Sequence, residues 1–152
     1  MAFIEVRHNI EVAHRLFDMK GKCEAIHGHS MWVDLKIHGL VNGDGVLDGL
    51  EFGFVKTHFR KYLDGTFDHR LLLNEKDPWA DKLYVPASSE LETVVLSPQV
   101  LQQLPGLLTV PGDPTTENIA KWIATWAHEV FKASVDVLVR ETAVNAAGYS
   151  IR

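Results

Sequence analysis

Three histidines are spaced so that they could bind one metal ion. His14 falls near the end of a stretch in which polar and apolar residues alternate, and His27 and His29 begin a second such stretch. Alternate residues of a strand project from one side, and two strands joined by a short link most simply pair as a hairpin. The three imidazoles are therefore predicted at one end and on one face of a sheet. Three neutral histidines with an open fourth position suit catalytic zinc.

The same histidines also allow a simpler interpretation. An HxH pair arises by chance, and a histidine on an apolar strand face is commonly a hydrogen-bonded core residue. A closed structural zinc site is not expected, because no cysteine lies on the histidines' face at a suitable spacing. Two hypotheses therefore stand at this point, an open metal site and a polar cluster in the core.

Two further places in the sequence could transfer protons. Cys23 lies shortly before His27, and a thiol beside a cation has a lowered pKa and becomes a usable base or nucleophile. The alternative for a lone cysteine is a small buried hydrophobe. Asp68 and His69 offer an acid–base pair after the first predicted helix. Adjacent side chains do not normally hydrogen-bond in regular structure, so surface solvation is the alternative for this pair.

Glu141 is a carboxylate on a predicted apolar face. It shares the alternation of Val135, Val137 and Val139 near the end of the chain. A carboxylate in that position needs a partner, because an unpaired buried charge is costly. The partner is either a structural arginine or a ligand that carries N–H donors.

The elements that must position these residues follow the order strand, strand, helix, insertion, helix, strand, strand. The predicted strands are 2–16, 27–41, 135–143 and 146–151, and the predicted helices are 51–64, with Gly65 as its stop, and the segment from PTT (114–116) to about 131. The insertion covers about 75–113 and holds a weak strand signal at 92–96 and a short helix at 97–104. No repeat or second domain is found, so residues 1–152 are predicted to form one α+β domain.

Composition excludes several classes of partner. Fifteen basic and twenty acidic residues give a net charge of −5, which argues against nucleic acid, since its binding surfaces are usually basic. No apolar run approaches the length of a membrane span, so no membrane partner is expected. The alternating N-terminus predicts no signal peptide, and the single cysteine then indicates a reducing cytoplasm. An anionic small molecule can still bind where basic groups cluster.

Together these residues resemble the 6-pyruvoyltetrahydropterin synthase and 6-carboxytetrahydropterin synthase family. The matching pieces are EVAHRL (11–16), KCEAIHGHS (22–30), EFGFVK (51–56), FDHRLLLN (67–74), PTTENIA (114–120) and ET (141–142). They follow the family's order and span nearly the whole chain. Each piece alone is a weak motif, whereas their combination is specific.

The resemblance implies the tunnelling fold (T-fold), a four-stranded antiparallel sheet with two helices on one face. In this family the sheets join edge to edge into an oligomeric barrel, usually a homotrimer stacked into a homohexamer. Family active sites lie between subunits. Joining the sheets would also remove the exposed strand edges of a small isolated sheet.

The resemblance also implies a role for each candidate residue. The zinc ligands are matched by His14, His27 and His29, and the catalytic set is matched by Cys23, Asp68 and His69. In that set the histidine relays protons and the aspartate orients it. The carboxylate that anchors the pterin ring is matched by Glu141, and the segment lining the pterin pocket is matched by Thr115, Thr116 and Glu117.

The implied substrate is 7,8-dihydroneopterin triphosphate, and the implied activity is that of a zinc-dependent carbon–oxygen or carbon–carbon lyase. Zinc would lower the pKa of the side-chain hydroxyls, while Cys23 and His69 move protons and triphosphate is eliminated. The expected product is 6-carboxytetrahydropterin, for the queuosine pathway, or else 6-pyruvoyltetrahydropterin. Candidates for contact with the phosphates are Arg15, Lys20, Lys22 and Arg70.

Departures from the family pattern leave two alternatives open. In this chain EF (51–52) follows a slightly longer turn and stands where the family usually has Asp-Phe, and the 75–113 stretch is longer than in compact members. Glu24 follows Cys23, and some relatives use a glutamate near this position instead of the cysteine. Cys23 shares the strand parity of His27, so Cys23 is expected to face the substrate. The alternatives are aldolase-like formation of a 6-hydroxymethyl pterin and a non-catalytic pterin- or zinc-binding protein.

Overall fold

A long β-hairpin carries the three histidines. The structure is a computed structural model that describes residues 1–86, 101–103 and 106–152. Strand β1 (Ala2–His14) pairs antiparallel with strand β2 (His27–Gly39) along its whole length. The register places Ala2 opposite Gly39 and His14 opposite His27. The hairpin predicted from the alternating pattern is therefore confirmed.

Two helices and six further strands follow in the described residues. They are α1 (Phe52–Thr66), β3 (Arg70–Asn74), β4 (Tyr84–Pro86), β5 (Leu101–Gln103), β6 (Leu107–Val110), α2 (Thr116–Phe131), β7 (Ser134–Arg140) and β8 (Ala146–Ile151). The main sheet has the order β6-β3-β1-β2-β7-β8, and β4 and β5 form a separate antiparallel pair. Strands β1, β2, β7 and β8 are joined antiparallel throughout, as the T-fold requires.

The main sheet is wider than predicted, with six strands in the described residues instead of four. Strand β3 runs parallel to β1 where β1 ends at His14, and β6 runs parallel to β3. The two added strands are short continuous apolar runs, and periodicity cannot assign such runs to strand or helix. Leu72 and Leu73 of β3 are fully buried, so the added strands extend the core at the His14 end of the sheet.

Side-chain caps determine where the two helices begin. Glu51 and Thr115 accept backbone N–H groups in the first turns of α1 and α2, at 3.0 and 3.2 Å. Helix α1 continues through Gly65, its predicted stop, because the N–H of Phe67 still bonds to the carbonyl of Leu63. A glycine inside a helix costs only about 1 kcal/mol, which packing can offset. In the described part of the chain, neither helix has the length and hydropathy needed to cross a membrane.

Both helices pack on one face of the sheet and bury a single core against it. Its members include Ile10, Met31, Leu35 and Val137 from the sheet and Phe59, Ile119 and Ile123 from the helices. The opposite face is mainly polar, and on it Arg7 and Arg140 both pair with Asp34. His14 lies on the helix-facing side and is only 1% exposed. The candidate site therefore begins at the margin of the core.

Two predicted elements differ from the structure, one at the end of β7 and one in the predicted insertion. Strand β7 ends at Arg140 instead of residue 143, because the N–H groups of Glu141 and Thr142 bond to the carbonyl of Asn145 in a turn. The strand signal at 92–96 lies outside the described residues. Part of the predicted helix at 97–104 instead forms β5, which pairs with β4. Pairing with another segment can override the local preference of so short a stretch.

Candidate metal centre

The three histidines converge at the end of the β1–β2 hairpin. His14 and His27 are cross-strand partners, and His29 is the next residue on the same side of β2. One ligand nitrogen from each lies within 4.8 Å of the others. The ring centroids are 4.5, 5.1 and 5.1 Å apart. The predicted convergence is confirmed, and these three residues could together hold a metal ion.

Backbone carbonyls orient two of the imidazoles. Nδ1 of His14 donates to the carbonyl of Pro114, and Nδ1 of His27 donates to the carbonyl of Ala25, both at 2.8 Å. A neutral imidazole that donates through Nδ1 carries a free lone pair on Nε2. Metal-bound histidines almost always have such a partner for the second ring nitrogen. The two rings are therefore held in the tautomer that a metal requires.

The burial of the ring nitrogens fits a metal better than a polar core cluster. Nε2 of His14 and Nε2 of His29 are buried and have no hydrogen-bond partner in the described part of the chain. Buried polar atoms are normally paired, so two such atoms at one point need an explanation. Burial lowers the pKa of His14; the Pro114 carbonyl opposes this, and the neighbouring His27 and His29 add to it. A neutral imidazole is the form that binds metal.

Glu141 lies beside the histidine triad. Its Oε1 is 3.6 Å from Nε2 of His14 and 3.6 Å from Nε2 of His29. The residue sits in the turn between β7 and β8, where its N–H bonds to the carbonyl of Asn145. Within the described residues, its ion-pair contacts are with histidines and not with an arginine. A structural arginine partner is therefore disfavoured, and a ligand partner is favoured.

A cavity of about 310 Å³ opens beside Glu141. Its wall includes Cys23, Thr115, Thr116, Glu117 and Glu141. These residues come from the β1–β2 connection, the start of α2 and the β7–β8 turn. They are the residues that the family resemblance matches to the catalytic thiol, the pterin-anchoring carboxylate and the segment lining the pterin pocket. The fold thus gathers them around one space next to the triad.

Cys23, and not Glu24, belongs to the wall of this cavity. The two lie in a single 3-10 turn, Lys22–Glu24. The Cys23 side chain is half-buried, while the Glu24 carboxylate is partly exposed and lies 4.0 Å from Nζ of Lys20. The strand-parity argument assumed an extended segment and is wrong for this turn. The preference for Cys23 now depends on its position in the cavity wall.

Asp68 and His69 bond to each other although they are neighbours in sequence. His69 has a left-handed backbone (φ 57°), and its Nδ1 lies 2.7 Å from Oδ2 of Asp68. Both residues are held on β1, since Glu11 donates its N–H to Asp68 and accepts the N–H of His69. Burial would raise the pKa of Asp68, but hydrogen bonds from Glu11 and His69 lower it. Asp68 is therefore an ionised acceptor that can orient His69.

A second cavity, of about 500 Å³, contains His69 but not Cys23. Its wall includes Glu11, His29, Ser30, His69 and Arg70. Both cavities border the triad, because Glu141 in the first lies 3.6 Å from two of its histidines and His29 in the second is one of its members. In the described part of a single chain, the predicted thiol and the predicted proton relay therefore line different cavities.

Among the four basic residues predicted to meet phosphates, only Arg70 lines either of these two cavities. Arg15 is buried, with Nε 3.5 Å from a carboxylate oxygen of Asp77 and its guanidinium 4.6 Å from the centre of the Trp79 ring. The Lys20 side chain is almost fully exposed. Of the four, Arg70 is thus the best placed to meet a bound anion.

Several residues around the site were not found from the sequence. The Ser30 hydroxyl donates to Oε1 of Glu11 at 2.7 Å, across the β1–β2 pair. This contact could have been found, because the register that sets His14 opposite His27 also sets Glu11 opposite Ser30. Pro114 acts through its backbone carbonyl, which no pattern of residue types reveals.

Sequence comparison relates this chain to pterin-processing enzymes. A family model described as 6-pyruvoyl tetrahydropterin synthase matches residues 3–151. The 6-carboxy-5,6,7,8-tetrahydropterin synthase of Rickettsia typhi is 31% identical over 71 residues, covering 47% of this chain and 51% of that protein. The enzyme of the same name from Rickettsia conorii is 30% identical over 71 residues, with the same coverage. The chain thus spans about half the length of the curated relatives it matches.

Structural comparison shows the same fold at low sequence identity. An uncharacterized protein from Wolinella succinogenes has a TM-score of 0.74 at 18% identity, covering 99% of this chain and 98% of that one. A Plasmodium vivax 6-pyruvoyltetrahydropterin synthase, described as a catalytic residue mutant in which a glutamate is replaced, has a TM-score of 0.70 at 19% identity, with coverage of 99% and 98%. The Caenorhabditis elegans enzyme gives 0.65 at 20%, with coverage of 99% and 96%.

We expect one zinc ion per chain at the histidine triad. His27→Ala and His29→Ala each remove one of three ligands, so zinc affinity should fall by about 100-fold or more while the fold is retained. Competition with a chromophoric chelator measures the affinity, and circular dichroism checks the fold. His128→Ala is the matched control, because Nδ1 of His128 also bonds to a backbone carbonyl but lies on α2 outside the triad. Full zinc occupancy in both triad variants would refute the assignment.

Proposed function

Because the chain belongs to the 6-pyruvoyl tetrahydropterin synthase family, we propose that it is a zinc-dependent lyase acting on 7,8-dihydroneopterin triphosphate. Its product is 6-carboxytetrahydropterin in preference to 6-pyruvoyltetrahydropterin, since the Rickettsia relatives carry the name of the carboxy enzyme. The activity belongs to the queuosine pathway in the cytoplasm. The observation that carries the proposal is a triad in which two buried ring nitrogens have no partner among the described residues, beside a cavity lined by Cys23 and Glu141.

The triad and the cavity bind different parts of the substrate, its side chain and its pterin ring. Zinc held by His14, His27 and His29 would supply Lewis-acid polarisation of the pterin's side-chain hydroxyls. Glu141 accepts hydrogen bonds from the N–H edge of the pterin ring, for which an ionised carboxylate is a strong acceptor. The pocket for the ring is lined by Thr115, Thr116 and Glu117. These groups hold the side chain of the substrate towards the triad.

Two side chains then move protons. The Cys23 thiol lies in the cavity wall and serves on one side of the substrate, and His69 serves on the other. Asp68 orients His69 through the 2.7 Å hydrogen bond to Nδ1, which leaves Nε2 free to exchange a proton. Proton removal from the side chain allows the carbon–oxygen bond to triphosphate to break. For the 6-carboxy product, water then adds, a carbon–carbon bond of the side chain breaks, and the two outer carbons leave as acetaldehyde. Arg70 would meet the departing anion, which its position next to His69 in the wall of the second cavity supports.

A site shared between subunits explains why one chain separates Cys23 from His69. Strand β8 has one neighbour among the described strands, and β1 is paired on its outer side by β3 only at Val12–His14. Glu11 is already bonded to Asp68 and His69 on that side, so within the described residues no strand pairs with the outer edge of residues 2–10. Since β1, β2, β7 and β8 alternate in direction, β8 of one copy would lie antiparallel to β1 of the next. Repeating this contact closes a barrel and can bring His69 of one copy towards Cys23 of another.

Mass spectrometry of the products tests the proposed function most directly. Purified, zinc-loaded protein is mixed with 7,8-dihydroneopterin triphosphate, and the pterin products are separated by mass. The proposal predicts release of triphosphate and acetaldehyde together with a 6-carboxy product. A 6-hydroxymethyl product would identify the aldolase-like relative, and unchanged substrate would identify a non-catalytic pterin- or zinc-binding protein. Either result would overturn the proposal.

The open strand edges predict a closed oligomer. An isolated sheet with two unpaired edges is prone to pair with further strands, and a closed barrel removes those edges. Sedimentation velocity at micromolar concentration should show a homotrimer or a homohexamer. A stable monomer at that concentration would contradict the prediction and leave Cys23 and His69 in separate cavities.

Glu141→Gln should weaken pterin binding much more than zinc binding. The change removes a negative charge and replaces one acceptor oxygen by a donor, and a hydrogen bond to a charged group is worth about 1.5–3 kcal/mol, or roughly 10- to 100-fold in affinity. Fluorescence titration with dihydroneopterin measures the loss. Glu129→Gln is the control, because Glu129 is exposed on α2 and pairs with Lys132. Unchanged pterin affinity in Glu141→Gln would leave Glu141 as a structural residue.

Cys23, not Glu24, is expected to transfer the proton beside the triad. Cys23→Ala should abolish turnover while zinc and pterin still bind, because the thiol lines the cavity. Glu24→Gln should change turnover little, since Glu24 lies beside Lys20 and outside the cavity wall. Turnover is followed by triphosphate release. An inactive Glu24→Gln combined with an active Cys23→Ala would reverse the roles and favour the hydroxymethyl-forming alternative.

A further inference from the structure

Asp113 is a buried carboxylate just ahead of α2. It is 8% exposed and belongs to neither cavity wall. Its Oδ1 accepts the N–H of Phe17 at 3.1 Å and a side-chain N–H of Asn74 at 2.9 Å. Its Oδ2 accepts the N–H of Asp18 at 2.9 Å. One carboxylate thus joins the end of β3 to the β1–β2 connection.

These hydrogen bonds hold the segment that carries the thiol. We name the connection of residues 15–26 the Cys23 loop. Apart from one 3-10 turn it has no regular structure, and its buried side chains include Arg15 and Leu16 at its start, ahead of the two amides that Asp113 holds. The N–H of Leu16 bonds to the carbonyl of Cys23 at 2.9 Å. Leu16, which precedes the two amides bonded to Asp113, therefore holds the backbone of Cys23. Asp113 is thus linked to Cys23 through the hydrogen bond of Leu16.

The residues that follow Asp113 hold the other parts of the site. The carbonyl of Pro114 accepts the hydrogen bond that orients His14. Thr115 caps α2 and lines the cavity. The backbone carbonyl of Asp113 accepts a side-chain N–H of Asn118 at 2.8 Å, which fixes this segment to the first turn of α2. The short segment 113–115 thus helps to position the Cys23 thiol, the His14 imidazole and one wall of the cavity.

We propose that Asp113 is the positioning residue that fixes the thiol of Cys23 relative to His14 and to the start of α2. The inference rests on the proposed role of Cys23 but concerns its placement, not the reaction. The position requires a carboxylate, because three donors converge on it and both oxygens must accept. An asparagine would accept at one oxygen only and would place its own N–H₂ group against a backbone donor.

Alkylation of Cys23 tests this placement without any substrate. Cys23 is the only cysteine, so intact-mass measurement with iodoacetamide reports on this thiol alone. Asp113→Asn breaks one anchor bond and leaves a buried donor unpaired, which loosens the loop and exposes the half-buried thiol. The alkylation rate of the folded protein should rise by about 10-fold, the scale expected for one lost buried hydrogen bond.

Asp34→Asn is the matched control for general destabilisation. Asp34 is 6% exposed and also accepts several hydrogen bonds, but its partners are Arg7 and Arg140 on the opposite face of the sheet. In the Asp34→Asn variant, Cys23 should be alkylated at nearly the rate found in the unmodified protein. This should hold even if the melting temperature of Asp34→Asn falls as much as that of Asp113→Asn. A wild-type rate in Asp113→Asn, or equal acceleration in both variants, would overturn the proposal.

Amide exchange of the unmodified protein keeps the proposal testable if Asp113→Asn fails to fold. The N–H groups of Phe17 and Asp18 should be protected by about 10-fold or more relative to those of Met19 and Lys20, which bond to no backbone or side-chain acceptor in the described residues. Equal exchange at these four amides would show that Asp113 does not hold the loop. Neither measurement uses pterin turnover, so an inactive protein would disprove the proposed function while leaving this inference standing.

Discussion

The register of the β1–β2 hairpin is the constraint on which the rest of the candidate site depends. It sets His14 opposite His27 and, with the same pairing, Ile10 opposite Met31, both of which are fully buried. A slip by one residue would turn the side chains of one strand to the other face of the sheet. The same slip would both expose the apolar core residues and remove His14 from the triad. Burial of the apolar face therefore assembles the metal centre as a consequence of folding.

The surroundings of the triad favour neutral imidazoles whose Nε2 lone pairs are available to a metal ion. Burial lowers the pKa of His14, and the carbonyl of Pro114 directs its Nδ1 away from the other rings. Glu141 supplies negative charge 3.6 Å from two of the ring nitrogens, which favours a cation at the centre. The sheet, the start of α2 and the β7–β8 turn each contribute one of these features. The site is thus a meeting point of elements that are distant in sequence.

Much of the fold and of the site could be predicted because both follow from residue alternation. The hairpin, the two helices, strands β7 and β8, and the convergence of the histidines all follow from which side chains share a face. Strands β3 and β6 were missed because short apolar runs carry no period. The Asp68–His69 bond and the turn at Cys23 were missed because they depend on irregular backbone, and Pro114 acts through a carbonyl that every residue possesses.

X-ray absorption spectroscopy of the zinc-loaded protein tests the central claim most directly, because it reports which atoms surround the metal. The account predicts three imidazole nitrogens and one further light atom, at about 2.0–2.1 Å from zinc. It also predicts that the thiol of Cys23 stays outside the coordination shell. A sulfur ligand at about 2.3 Å, or a spectrum without imidazole scattering, would contradict the account.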